Sequence, residues 1–228
     1  MMRRFFAGAI ICLTLLAFVA PMDASAQVFR TRLYGGWSNA NFWGPDKILG
    51  SEDRNGFLAG AAVEYVREGQ NELGYELGVA YIQKGAKGTI EPNEVDPEQP
   101  PFTSTLEGEV KLDYIELSLL FNFYLPIGAK TDLKLGVGPA FGMLSSAKAE
   151  GTLDGEPFAG DLDKYLTNVD FGIVLAAGLV YDLKKVALAV DARVDFGAIS
   201  IDDTSEDHDL KTRAVGVVLG VVIPLGGK

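Results

Sequence analysis

Hydrophobic side chains fall at every second position along most of this chain. In DYIELSLLFNFYL, residues 113–125, one set is Ile115, Leu117, Leu119, Phe121, Phe123 and Leu125, and the other is Tyr114, Glu116, Ser118, Leu120, Asn122 and Tyr124. A period of two belongs to a strand, whose successive side chains point to opposite faces of its sheet. ELGYELGVAYI repeats the pattern, with Leu73, Tyr75, Leu77, Val79 and Tyr81 opposite Gly74, Glu76, Gly78 and Ala80. VDFGIVLAAGLVYD and VALAVDARVDFG do the same, and AVGVVLGVVI, apolar on both sides, alternates least. The pattern predicts eight extended segments, at roughly 29–38, 56–67, 72–85, 111–125, 132–146, 168–182, 185–199 and 210–224.

The less greasy face decides what kind of sheet this is. It carries Arg30, Arg32, Glu64, Glu76, Glu116, Lys134, Asp170, Asp191, Arg193 and Asp195 among many glycines and alanines. Small residues interleaved with charges of both signs suit the interior of a narrow closed tube. The greasy face is continuous, with Trp37, Tyr65, Tyr75, Tyr81 and Tyr181 toward its ends, as in a lipid-facing band between aromatic girdles. Leu117, Leu119, Phe121, Leu175, Leu188 and Val190 are therefore expected to face lipid. Connection lengths agree: 39–55, 86–110, 147–167 and 200–209 are long, and REGQNE, PIGAKTD and DLKK are short. Long external loops alternating with short periplasmic turns, and the need to close the sheet in lipid, predict an all-β, eight-stranded antiparallel up-and-down transmembrane β-barrel. A soluble lipocalin-like barrel needs the reverse, an apolar lumen and a polar exterior.

The N-terminus supplies an address. MMRRFFAGAIICLTLLAFVAPMDASAQ sets Arg3 and Arg4 before an apolar run and Ala24 and Ala26 after it, the layout of a cleaved signal peptide over residues 1–26. The barrel domain then occupies 27–228, exported through the periplasm to the outer membrane of a Gram-negative bacterium. Cys12, the one cysteine, leaves with that peptide, so the mature chain forms no disulfide. The net charge of −11 argues against a nucleic-acid partner, which demands a concentration of Lys and Arg.

Several strands carry a family resemblance. DYIELSLLFNFYL resembles the fourth strand of the PorT-like outer-membrane beta-barrel family, and LKLGVGPAFGMLSSAK resembles the fifth, with its Gly-Pro-aliphatic/aromatic-Gly pattern. DFGIVLAAGLVYDL and LAVDARVDFG are similar to the sixth and seventh. The resemblance implies a small barrel of the OmpA and OmpX plan, with a place as an accessory of secretion or transport as the alternative role, and it carries no set of catalytic residues. Such barrels often end on an aromatic residue, whereas this chain ends on Ile223-Pro224-Leu225-Gly226-Gly227-Lys228.

Candidate chemistry is sparse, and no catalytic, cofactor or metal site is expected. The one histidine, His208, sits in DDTSEDHDL, near Ser200 and Ser205, and reads as one polar residue of a solvated loop rather than as the histidine of a rim catalyst. Zinc-ligand spacing is missing, and the glycine motifs lack the strand–loop–helix of a phosphate site. The inward charges read as an ion or proton path, or as a salt-bridged plug. The long connections are acidic, and Asp202, Asp203, Glu206, Asp207 and Asp209 are candidates for holding a cation or a basic surface, if they are more than a solvated rim. Partners expected on this reading are outer-membrane lipid, lipopolysaccharide and an unidentified protein. The leading expectation is a non-enzymatic barrel serving envelope structure or surface binding.

Overall fold

The computed structural model describes residues 27–44, 51–67, 72–90, 105–202 and 210–225. The segment 1–26 and the acids Asp203, Glu206, Asp207 and Asp209, with His208, lie outside the described residues, as does the proline-rich part of the second long connection, 91–104. The strands are β1 (Gln27–Trp43), β2 (Ser51–Arg67), β3 (Glu72–Ile90), β4 (Leu106–Gly128), β5 (Thr131–Leu153), β6 (Glu156–Asp161), β7 (Val169–Asp182), β8 (Ala187–Gly197) and β9 (Lys211–Pro224). All pairings are antiparallel, and eight strands close into a ring in the order β1-β2-β3-β4-β5-β7-β8-β9, with β9 returning to β1. Closure leaves the membrane no unpaired edge, which is the condition for a sheet to sit in lipid.

Side-chain parity follows the ring. Leu117, Phe121, Leu175, Leu188 and Val190 are exposed on the outside, and Leu119 shares their face half-buried. The last strand, ambiguous by pattern, is resolved by its partners: Val215, Val217, Leu219 and Val221 point out, and Ala214, Gly216, Val218, Gly220 and Val222 point in. Aromatics belt the outside at both ends of the apolar band. Phe29, Tyr65, Tyr75 and Phe121 form a chain of rings with centroids 5.4–6.2 Å apart toward the end at which β1 begins and β9 finishes. Phe57 and Tyr81, 5.4 Å apart, lie toward the other end, where Trp37 donates to Asn55.

Three connections differ from expectation. Strand takes up both ends of 39–55 and of 86–110 and most of 147–167: β1 runs on to Trp43 and β2 begins at Ser51, β3 runs on to Ile90 and β4 begins at Leu106, and β5 continues to Leu153 before turning into β6. Beyond Met143, β5 leaves β7 and takes β6 as its neighbour, so β3, β4, β5 and β6 rise above the barrel as one sheet. The β5–β6 hairpin turns on Asp154 (φ 52°) and Gly155 (φ 84°), the two left-handed residues that a tight hairpin with correct strand twist requires. Gly85, at φ 122°, sits where the β2–β3 register shifts between Asp53 and Leu58, and Arg54 folds over it. The segment predicted at 185–199 is shorter, Ala187–Gly197, with Lys184 (φ 78°) in the turn before it.

The outward face generates a depth-dependent expectation. Leu175→Arg, midway along β7, should cost about 2–4 kcal/mol of folding stability in lipid vesicles, and Leu188→Arg, beside the belt residue Tyr181, about 0–1 kcal/mol. Urea titration of the two variants checks this, and equal costs would contradict a lipid-facing wall.

Candidate functional site

The interior of the ring holds the chain's unusual chemistry. Arg32, Glu64, Glu76, Glu116, Lys134, Asp170, Asp191, Arg193 and Asp195 are all buried there, none more than 6% exposed. They reach into the lumen because the neighbouring strands carry glycine or alanine beside them: Ala62 pairs with Arg32, Ala80 and Gly142 with Glu116, and Ala176 with Arg193. A Cβ at Gly60 would lie 2.8 Å from the Tyr34 ring, and one at Gly74 would lie 2.7 Å from Glu64 Oε1. Substituents there would evict the charged and aromatic groups that fill the tube.

The charges form an upper and a lower cluster. In the upper one, nearer the long connections, Lys84 Nζ lies 3.2 Å from Asp170 Oδ2 and 3.4 Å from Glu116 Oε2. Arg193 donates to Asp195 at 3.0 Å and to Glu116, and Thr212 Oγ1 donates to Asp170 at 2.6 Å. In the lower cluster Arg32 pairs with Asp191 and, at 3.7 Å, with Glu76. Lys134 Nζ is 2.9 Å from Glu76, and Asn122 bridges Glu76 and Glu64 with its amide, at 3.3 and 2.7 Å. Tyr124 donates its hydroxyl to Glu64 at 2.5 Å. Arg30 lies at the mouth, less buried, 3.5 Å from Glu72 and over the Tyr124 ring.

Apolar groups close both ends. Phe42, Ile82, Ala86, Leu112, Ala147 and Ile201 pack above the upper cluster, and Val66, Val180, Ala189 and Val222 pack with Tyr124 at the other end. Leu120, Ala140 and Val174 pack together within the lumen. The cavities beside the charges measure only about 10 Å³ each, room for about one water apiece.

Sequence reasoning did not include Lys84 or Arg54 among the buried charges. Lys84 lies within the segment predicted at 72–85 and keeps the inward parity of Gly78, Ala80 and Ile82, so the alternation alone could have found it. Arg54 donates to Glu109 and to the carbonyl of Lys84, in the shifted register that no periodicity exposes. Asp202, the one described member of the acidic loop set, forms an isolated bridge with Leu166.

A second feature is the external sheet. Its outer face alternates charge across strands: Lys111 lies 2.5 Å from Glu150 and 3.9 Å from Glu109, and Lys87 lies 3.5 Å from Glu52. The hydrogen bond from Lys111 holds the Glu150 carboxyl below its ordinary pKa and raises that of Lys111 in return. Its inner face is apolar and small, with Ala86, Leu106, Val110, Ala149 and Phe158 around a pocket of about 210 Å³.

A closed ring, a greasy exterior and a charged interior describe a membrane barrel, and the family comparison agrees: the model of the outer membrane protein beta-barrel domain matches residues 25–203. The chain belongs to that family. It is an outer-membrane β-barrel protein of Gram-negative bacteria, so the short turns at 129–130 and 183–186 face the periplasm and the external sheet faces outward. The chain is similar in structure to Neisserial surface protein A, at 14% identity over 86% of this chain and 96% of that one, with a TM-score of 0.46. It is similar to OprG of Pseudomonas aeruginosa at 11% identity over 89% and 97% of the two chains, with a TM-score of 0.45. Ail of Yersinia pestis, solved with the heparin analogue sucrose octasulfate, aligns at 14% identity over 86% and 99%, with a TM-score of 0.36. No curated protein matches the chain in sequence.

Removing one partner of a buried pair strands the other's charge. Arg193→Ala, which leaves Glu116 and Asp195 without their shared cation, should cost about 3–5 kcal/mol of barrel stability. A urea midpoint unchanged from the parent protein would remove the plug from the account.

Proposed function

We propose that this protein is a non-enzymatic barrel with a closed lumen, whose work is done by the sheet it holds above the outer membrane. One observation carries the reading: β3, β4 and β5 continue past the lipid-facing band and recruit β6, forming far more ordered structure than joining neighbouring strands requires. The strands below are explained by lipid outside and charge pairing inside. Above the membrane, a sheet with one charged face and one apolar face is suited to surface binding. Outer-membrane lipid and lipopolysaccharide lie around its base, and a protein partner has access to its rim.

Catalysis finds little support in the composition, since the chain has a single histidine and its single cysteine lies in the predicted leader. The PorT-like resemblance of the β4, β5, β7 and β8 sequences favours a second reading, an accessory of an outer-membrane secretion or transport system. Co-purification from gently solubilised membranes separates the two, because an accessory brings its machinery with it.

Replacing 86–110 and 147–167 with tight turns should leave a barrel that folds and inserts but fails to complement a deletion strain. Folding is read by the heat-dependent gel shift of the barrel, and complementation separately. A shortened barrel that complements fully would leave only a structural role.

A further inference from the structure

We infer that the outer wall carries a phosphate site at the external end of β9, where Lys211 and Arg213 stand between Trp43 and Phe196, and that its ligand is the phosphorylated glucosamine headgroup of lipopolysaccharide. The first ground is height. From Val215 to Pro224 the outward side chains of β9 are apolar and exposed, and that run of about ten residues is the length that carries a tilted strand across a membrane. Arg213 and Lys211 are the next two residues of the same parity, so they stand where hydrocarbon gives way to headgroups. Trp43 on β1 and Phe196 on β8 flank β9 at this level, and their rings meet edge-on across it with centroids 6.4 Å apart. The wall also ends here: β9 begins at Lys211, β1 finishes at Trp43 and β8 at Gly197, whereas β3, β4 and β5 continue upward elsewhere on the ring.

The second ground is charge and its presentation. The Lys211 ammonium lies 5.2 Å over the Trp43 ring, and Trp43 Nε1 donates to the Thr212 carbonyl at 3.0 Å, which fixes the indole beneath the cation. Arg213 lies 3.7 Å from Asp53, with the two side chains 42% and 47% exposed, and Asp53 Oδ1 already accepts from Asn41 at 2.7 Å. So open an ion pair is weak, and it leaves the planar guanidinium able to fork onto a phosphate. On the other side of the ring Lys87 and Lys111 are held among Glu52, Glu109 and Glu150. On β9 two cations stand side by side on one strand, about 7 Å apart along it.

The third ground is what the membrane presents at that height. The outer leaflet of a Gram-negative outer membrane is lipopolysaccharide, whose lipid anchor is a glucosamine disaccharide bearing phosphates just above its acyl chains. With the acyl chains along Val215 and Val217, the sugars lie against Trp43 and Phe196 and a phosphate reaches Lys211 and Arg213. The chain as a whole carries a net charge of −11 and is repelled by such a surface, so cations at headgroup height are where attraction acts. The site rests on the placement of the barrel in the outer membrane and not on what the external sheet binds.

Native mass spectrometry of the intact barrel, released from detergent micelles after incubation with bisphosphorylated lipid A, tests this. EDTA is present throughout, so that no divalent ion bridges acidic side chains to the phosphates. The parent protein should retain the lipid, and the double variant Lys211→Gln, Arg213→Gln should bind it about thirtyfold more weakly, from about fivefold per cation. Removing both phosphates from the lipid should weaken the parent to the level of that variant, and rising salt should weaken it progressively. The pair Lys87→Gln, Lys111→Gln should bind as the parent does, and the heat-dependent gel shift shows that each variant is folded. The barrel with 86–110 and 147–167 replaced by tight turns should keep the lipid too, so a failure of the external-sheet reading leaves this site standing. A folded double variant that retains lipid A as the parent does would overturn the site. Equal retention of dephosphorylated lipid A, or of phosphatidylglycerol, by the parent would overturn its ligand.

Discussion

Lipid offers no hydrogen bonds to a peptide backbone, and that constraint organises the whole molecule. Eight strands satisfy it by pairing in a ring, so that each strand in the membrane has a hydrogen-bonded neighbour on either side. Once the ring is closed, the alternation of side chains is no longer negotiable: one parity meets hydrocarbon and the other meets the lumen. A slip of one residue at any pair would exchange Leu117 for Glu116 at the lipid boundary. Register, aromatic belts and the placement of charge all follow from this.

The lumen inherits the difficulty that the ring removes from the backbone. A tube of this width has no room for a water column, so ionised side chains inside it need partners within the protein. The sequence meets this with small residues opposite long ones. Glycine at 60, 74, 136, 142 and 178 lets Tyr34, Glu64, Asn122, Tyr114 and Asp191 lie across the interior. Apolar packing at both ends completes the seal. The external sheet grows from the same strands as the barrel wall, with β4 and β5 continuous through a register shift at Asp113 and Tyr114.

Periodicity made the ring legible before any coordinates, because a period of two and a strict long–short sequence of connections are properties of the chain itself. It failed where alternation stops reporting on lipid. Above the membrane both faces of a strand meet water or protein, so Lys87, Glu109 and Glu150 read as loop although they sit on paired strands. Asp154-Gly155 was the available signal, a two-residue hairpin turn inside a segment read as irregular. Lys84 lies inside the segment predicted at 72–85, so its inward parity with Ala80 and Ile82 was a signal available from the sequence. Arg54 depends on a register shift that involves two strands at once, and no single-strand pattern contains it.

The central claim, a ring whose interior is closed by paired charge, is tested most directly by electrical recording. Purified intact protein reconstituted in a planar bilayer should leave the membrane without stable conductance steps, since the voids among the charges hold about 10 Å³ each and apolar groups pack at both mouths. Large, stable single-channel steps from the folded protein would contradict the account.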